Sequence, residues 1–113
     1  MAESCLFCRI VRKEIPATIV AETEHCVAFR DINPQAPTHI LVIPREHVAT
    51  LADTDDPALV GRLALLAAEL AQQEGIAEQG YRTVINSGRD AGQTVFHVHL
   101  HLLGGRHMSW PPG

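Results

Sequence analysis

Three histidines stand at alternate positions in the segment VFHVHLHLL: His97, His99 and His101. Read as a β-strand over Val95–Leu103, the segment sends Phe96, Val98, Leu100 and Leu102 to one side and the three imidazoles to the other. A neutral imidazole is both a nucleophile and a proton carrier near pH 7, with an ordinary pKa of about 6.5. Alternate strand residues lie about 6.6 Å apart, which separates His97 from His101 by about 13 Å. Zinc holds its nitrogen ligands at about 2.1 Å, so one ion cannot take all three rings, though two of them could share one with a ligand from a neighbouring strand. A division of labour is the expectation: one ring acts on a substrate while the others orient it, protonate the substrate or bind something else.

Two further stretches carry chemistry. The loop NSGRDAGQT, Asn86–Thr94, has Gly88 and Gly92 to free its backbone, and its amides could turn inward as an anion-binding nest suited to phosphoryl chemistry. An ordinary turn reads the same way. Near the start, Cys5 and Cys8 form Cys-x2-Cys, half of a zinc site. Two buried thiols packed on a short helix are the alternative, and a redox pair would need a βαβ setting that this chain lacks. Cys26 sits in a strand and reads as core.

The elements that must position these residues follow from punctuation and period. Ser4–Lys13 reads as a short helix capped by Ser4, with Phe7, Ile10 and Val11 inward and Pro16 as its stop. Thr18–Ala21 and Cys26–Arg30 read as a hairpin around Glu22–His25, and the prolines of DINPQAPTH make a loop. His39–Ile43 is a nearly continuous apolar strand ended by Pro44, hence central in its sheet. Asp55, Asp56, Pro57 and Gly75 bracket a long helix whose buried stripe is Leu59, Leu63, Leu66 and Leu70. Tyr81–Asn86 is a fourth strand. The architecture is α+β: a five-stranded antiparallel sheet with one long and one short helix, the long helix on one face and the other left for the histidines.

At 113 residues, 46% hydrophobic and 19% charged, the chain has the composition of one packed domain spanning 1–113. A net charge of -4 without basic runs argues against nucleic acid as a partner. The opening MAESCLFCRIVRK lacks the order of a signal peptide and no apolar run is long enough to span a membrane, so a cytoplasmic protein with reduced thiols is expected.

The ordered segments RKEIPA, FRDINPQAPTHILVIP, GQTVFHVHLHLLGGR and the terminal WPPG resemble the histidine-triad (HIT) nucleotide-binding proteins, and among them the Hint branch of purine nucleoside phosphoramidases. The resemblance runs from about Cys5 to Gly113. It implies an enzyme that cleaves the P–N bond of purine nucleoside 5′-phosphoramidates through a nucleotidyl-histidine. His99 would attack the α-phosphorus, His101 would bind the phosphate, and His39 would support the nucleophile's far ring nitrogen or its orientation. Thr94 stands where the family often has Ser, and would help pass a proton to the leaving amine. Asp31 would hold the ribose hydroxyls, Phe7, Ile15, Phe29 and Ile32 would line the base pocket, and Asn86 and Gly92 would contact ribose or phosphate.

The resemblance also implies a homodimer in which the tail brings Trp110 to the partner's active site, with the long helix and the Tyr81–Asn86 strand in contact. It implies a structural zinc on Cys5, Cys8, His47 and His97, four ligands that leave no position open for catalysis. Three other readings stay in competition: a nucleotide-binding or partner-binding regulator with incidental turnover, a dinucleoside polyphosphate hydrolase, and a zinc hydrolase built on the histidine strand.

Overall fold

The first helix, α1, covers Leu6–Val11, shorter at both ends than Ser4–Lys13. These positions belong to a computed structural model that describes residues 4–113; the first three residues, part of the segment read as lacking a signal peptide, lie outside the described residues. The cap of α1 is Cys5 rather than Ser4, its sulfur accepting from the Cys8 N–H at 3.4 Å. The stop is Lys13 rather than Pro16. Lys13 turns left-handed at φ 61°, its N–H bonds the Ile10 carbonyl, and the Glu14 N–H bonds the Arg9 carbonyl. That pair of closures satisfies the last-turn carbonyls before the proline is reached.

The five strands are β1 (Ile19–Glu22), β2 (Cys26–Arg30), β3 (Thr38–Pro44), β4 (Tyr81–Ile85) and β5 (Leu100–Gly104), with the long helix α2 (Pro57–Gln73) between β3 and β4. They form one sheet in the order β1-β2-β3-β5-β4, with every neighbouring pair antiparallel. β3 is central and buried along its whole length, as its continuous apolar sequence requires. α2 begins as expected: Asp56 accepts from the Ala58 N–H at 3.0 Å with Pro57 in the first turn. Gly75, at φ 76°, ends it, and the Ile76 N–H returns to the Ala71 carbonyl.

Each face of the sheet has its own core. α2 lays Leu59, Leu63, Ala67, Leu70 and Ala71 on Ala28, Ile40, Val42, Leu100 and Leu102, while Leu66 is only partly buried. On the opposite face α1 packs Phe7 and Ile10 over Val27, Phe29, Leu41 and Ile43. That second face is therefore not simply left to the histidines: α1 covers part of it and the imidazoles lie beside the helix.

The histidine segment is not one strand from Val95. The β3–β5 ladder ends at the Val42–Leu100 pair, so His97 and His99 precede β5 and only His101 lies within it. Continued antiparallel pairing would set Val98 opposite Pro44, which has no N–H to give. The Val98 N–H turns instead to the Val48 carbonyl at 2.7 Å, and the chain bends. Val98, Leu100 and Leu102 keep the inward parity of a strand, but Phe96 is half exposed. No helix among the described residues is long and apolar enough to cross a membrane.

Candidate functional site

His39 and His101 come together because β3 and β5 are neighbours, with His101 opposite Leu41 and His39 opposite Leu103, all on the α1 face. His39 Nε2 lies 2.9 Å from His101 Nδ1. The Gln35 N–H donates to His39 Nδ1 at 3.0 Å, so the neutral His39 ring carries its hydrogen on Nε2 and donates to His101. The neutral His101 ring must then carry its own hydrogen on Nε2. Asp31 stands at the end of this chain. Its Oδ1 caps its own loop by accepting from the Asn33 N–H at 2.8 Å, and its Oδ2 is 3.5 Å from His39 Nε2. Asp31, His39 and His101 also gather metal-ligating atoms within 4.8 Å. The Gln35 amide speaks against an ion there, because it forces the proton onto the His39 nitrogen that a metal would need.

His99 is oriented differently from the sequence expectation. Its Nδ1 lies 2.8 Å from the backbone carbonyl of His97, to which it must donate. The support expected from His39 thus comes from His97, since the bend before β5 turns that carbonyl toward the ring. With the hydrogen fixed on Nδ1, the lone pair is on Nε2. Phe7 meets the His99 ring edge-on, centroids 5.0 Å apart and planes at 89°. The His101 ring is also next to it, centroids 5.0 Å apart. Burial lowers the pKa of His39 and of His99, and Asp31 opposes both shifts. For His101 burial, followed by the adjacent His99 and His39, pushes the value down to about 4. Burial thus favours the neutral form of all three rings.

His99 and His101 open on a cavity of about 210 Å³ whose walls include Phe7, Phe29, Asp31 and Ile32. Ile32 is almost wholly exposed at 99%, so it forms a rim rather than a wall. Ile15 packs into the cluster beneath α1 instead. Thr94 lies outside this cavity: it lines a neighbouring one of about 440 Å³, with Val95 the wall common to both. Asn86 and Gly92 are not brought to either. The glycine loop is not an open nest. The Gly88 N–H bonds Gln93 Oε1, the Gln93 N–H bonds the Gly88 carbonyl, and the Gly92 N–H bonds the Arg89 carbonyl. Gln93, which the sequence reading passed over, is the organiser: buried, it also donates from Nε2 to the carbonyls of Ala49 and Val95. A lone glutamine among loop residues carries no pattern that would flag it.

A second cluster lies behind the bend. His97 Nδ1 is 3.4 Å from Cys5 Sγ, 3.5 Å from Cys8 Sγ and 3.3 Å from His47 Nδ1, and Cys8 Sγ is 3.3 Å from His47 Nδ1. A tetrahedral ion with nitrogens at about 2.05 Å and sulfurs at about 2.3 Å spaces nitrogens about 3.3 Å apart and nitrogen from sulfur about 3.6 Å. The four residues fit that frame and could hold a metal. His97 Nε2 donates to the Pro44 carbonyl at 2.8 Å, which leaves Nδ1 free of hydrogen and supplies the outer partner that metal-bound imidazoles use. Burial, with Cys5 beside it, raises the Cys8 thiol to about 11, so an ion entering here must displace protons. Cys26 is buried in the α2-side core, away from this cluster.

At the other end of the chain Trp110 is 81% exposed. Arg82 of β4 holds the tail, with its guanidinium 5.9 Å above the indole and a hydrogen bond of 3.0 Å to the Ser109 carbonyl.

Known proteins are similar to this chain in sequence and fold. The profile of the HIT domain matches residues 12–108. The chain is 51% identical over 108 residues to the purine nucleoside phosphoramidase of Escherichia coli K12, covering 94% of this chain and 91% of that protein. The crystal structure of a HIT family hydrolase from Legionella pneumophila superposes with a TM-score of 0.95 at 54% identity, over 97% of this chain and 100% of that one. A zinc-bound histidine triad family protein from Mycobacterium smegmatis superposes with a TM-score of 0.83 at 35% identity, over 100% of this chain and 82% of that one.

Proposed function

The chain belongs to the HIT domain family, and from that premise we propose that it is a nucleotide-binding hydrolase that cleaves the P–N bond of purine nucleoside 5′-phosphoramidates. One observation carries the reading: the His97 carbonyl holds the hydrogen of His99 on Nδ1 and leaves Nε2 as a lone pair beside His101. A binding site alone has no use for an oriented nucleophile. The phosphoramidase relative, at 51% identity, supports the choice of bond.

In this mechanism the nucleoside occupies the cavity of His99 and His101. Its base lies against Phe7 and Phe29 with Ile32 at the rim, and Asp31 accepts from the vicinal ribose hydroxyls. His39, its Nδ1 occupied by the Gln35 amide, holds His101 so that the His101 Nε2–H donates to a non-bridging phosphate oxygen. His99 Nε2 attacks the α-phosphorus, the P–N bond breaks, and the amine leaves with a proton. Thr94 is our candidate for passing that proton, across Val95 from the adjoining cavity. Water then cleaves the nucleotidyl-histidine and restores His99. Asn86 and Gly92, outside the cavity walls, receive no contact in this scheme. Cys5, Cys8, His47 and His97 would hold Zn2+, which would tie α1 to the segment before β5. With four protein ligands offered, its work would be structural.

The test is a comparison of kcat/KM for adenosine and guanosine phosphoramidates against diadenosine polyphosphates. The reading expects the phosphoramidates to be preferred, and the His99→Ala variant to lose at least about 10³-fold in kcat while keeping most of its nucleotide affinity. Preference for the dinucleoside polyphosphates, or a nucleotide that binds tightly with no turnover of either class, would replace it.

A further inference from the structure

His97 belongs to two clusters at once. Its ring Nδ1 meets Cys5, Cys8 and His47 at 3.3–3.5 Å, and its backbone carbonyl takes the Nδ1–H of His99 at 2.8 Å. The helix α1 makes the same connection a second time. Between its two sulfurs it carries Phe7, whose ring meets His97 at 6.0 Å and 70°, and His99 at 5.0 Å and 89°. We propose that a zinc-type cation held by Cys5, Cys8, His47 and His97 sets the aim of His99, with His97 and Phe7 as the positioning residues that transmit it.

The reason lies in what the backbone does not supply. The ladder ends at Leu100, and Pro44 has no amide to continue it, so residues 95–99 are not held as a strand. The Val98 N–H to the Val48 carbonyl is the backbone bond that ties this bend to the rest of the fold. The direction of the His97 carbonyl therefore depends on where the His97 ring is fixed. Pro44 fixes one nitrogen of that ring. On the other side, thiols and imidazoles alone offer weak, long contacts, whereas four bonds to a cation fix the ring and α1 together. If the carbonyl turns away, the His99 hydrogen is free to move to Nε2, and the lone pair that attacks is lost. Of the groups that face the nucleotide, Phe29 lies on β2 and Asp31 on the loop after it, away from the cluster, while Phe7 lies within it. Loss of the cation should therefore depress the chemical step more than nucleotide binding.

The kinetic arm of the test rests on the phosphoramidase reading; the spectroscopic arm does not. Zinc-loaded and chelator-stripped protein are compared, together with His47→Ala and His47→Cys. Three quantities are read: the His99 ring tautomer by long-range nitrogen–proton correlation, the Kd for AMP, and kcat and KM on an adenosine phosphoramidate. The loaded protein should show His99 as the single Nδ1–H tautomer. Stripped protein and His47→Ala should show mixed tautomers and a kcat lower by about tenfold or more, with the Kd for AMP changed by a smaller factor than kcat. His47→Cys loaded with zinc should restore both. A stripped protein that stays folded and keeps the Nδ1–H tautomer and its kcat overturns the proposal. If stripping unfolds the chain, zinc-loaded Phe7→Leu decides: mixed His99 tautomers at full zinc content support the proposal, and an unchanged His99 signal overturns it. Should the loaded wild type not turn over phosphoramidates, the functional reading fails while the tautomer comparison still decides the positioning role.

Discussion

His101 carries the pH signature of the site. Burial and the neighbouring rings hold it near 4 in the folded protein, against 6.5 as an ordinary histidine. Between those values the unfolded chain binds the proton and the folded one does not, so acid favours unfolding. The stability that depends on neutral His101 is complete above about pH 6.5 and is lost as pH falls toward 4. Melting temperatures from pH 7 to pH 5 should fall, and His101→Gln should flatten that slope; a variant with the same slope as the wild type would refute the assignment. At this scale the sequence was legible in residue type but not in pairing. The spacing of His97, His99 and His101 announced divided roles, yet the partner of His99 is a backbone carbonyl, which no side-chain pattern announces. His39 was marked as a member of the site, and its contact with His101 depends on the β3–β5 register.

Elements were legible where local signals agree with the tertiary ladder. Asp56, Pro57 and Gly75 mark α2 because caps act locally. β5 was drawn too long because alternation persists through Val98 while the ladder partner, Pro44, fails; that is a fact about the neighbouring strand. The end of β5 gives a prediction. A Cβ added at Gly104 would collide with Ile76 Cδ1 and stand 3.1 Å from Ile76 Cβ. Ile76 closes the C-terminal turn of α2 and is buried. Gly104→Ala should therefore cost about 1–3 kcal/mol through overpacking, seen as a lower melting temperature without loss of the Nδ1–H tautomer of His99. An unchanged melting temperature would show that the α2 end shifts freely.

Over the whole molecule, the antiparallel α+β architecture was readable from element order alone, because five strands with short connections and one long helix leave few packings. What covers the outer edge of β4 was not. β4 ends the sheet, and Leu65 on α2 is 75% exposed. We propose a homodimer that joins these surfaces, with Trp110 serving the partner's site. Light scattering at micromolar concentration should give twice the chain mass; monomer alone would end that proposal. Deleting Ser109–Gly113 removes an exposed cation–π contact, worth about 0.5–1 kcal/mol, and an exposed hydrogen bond from Arg82 to the Ser109 carbonyl, so it should change the ranking of leaving groups more than the melting temperature. Equal ranking in both proteins would separate the tail from the site. The central claim is that His99 Nε2 becomes covalently nucleotidylated, and one measurement meets it directly. A single turnover of adenosine phosphoramidate is quenched in alkaline denaturant, which preserves phosphorus–histidine bonds, and the peptides are sequenced by mass spectrometry. The account predicts an AMP adduct on His99; turnover with the adduct on any other residue, or with inversion at phosphorus and no adduct, would contradict it.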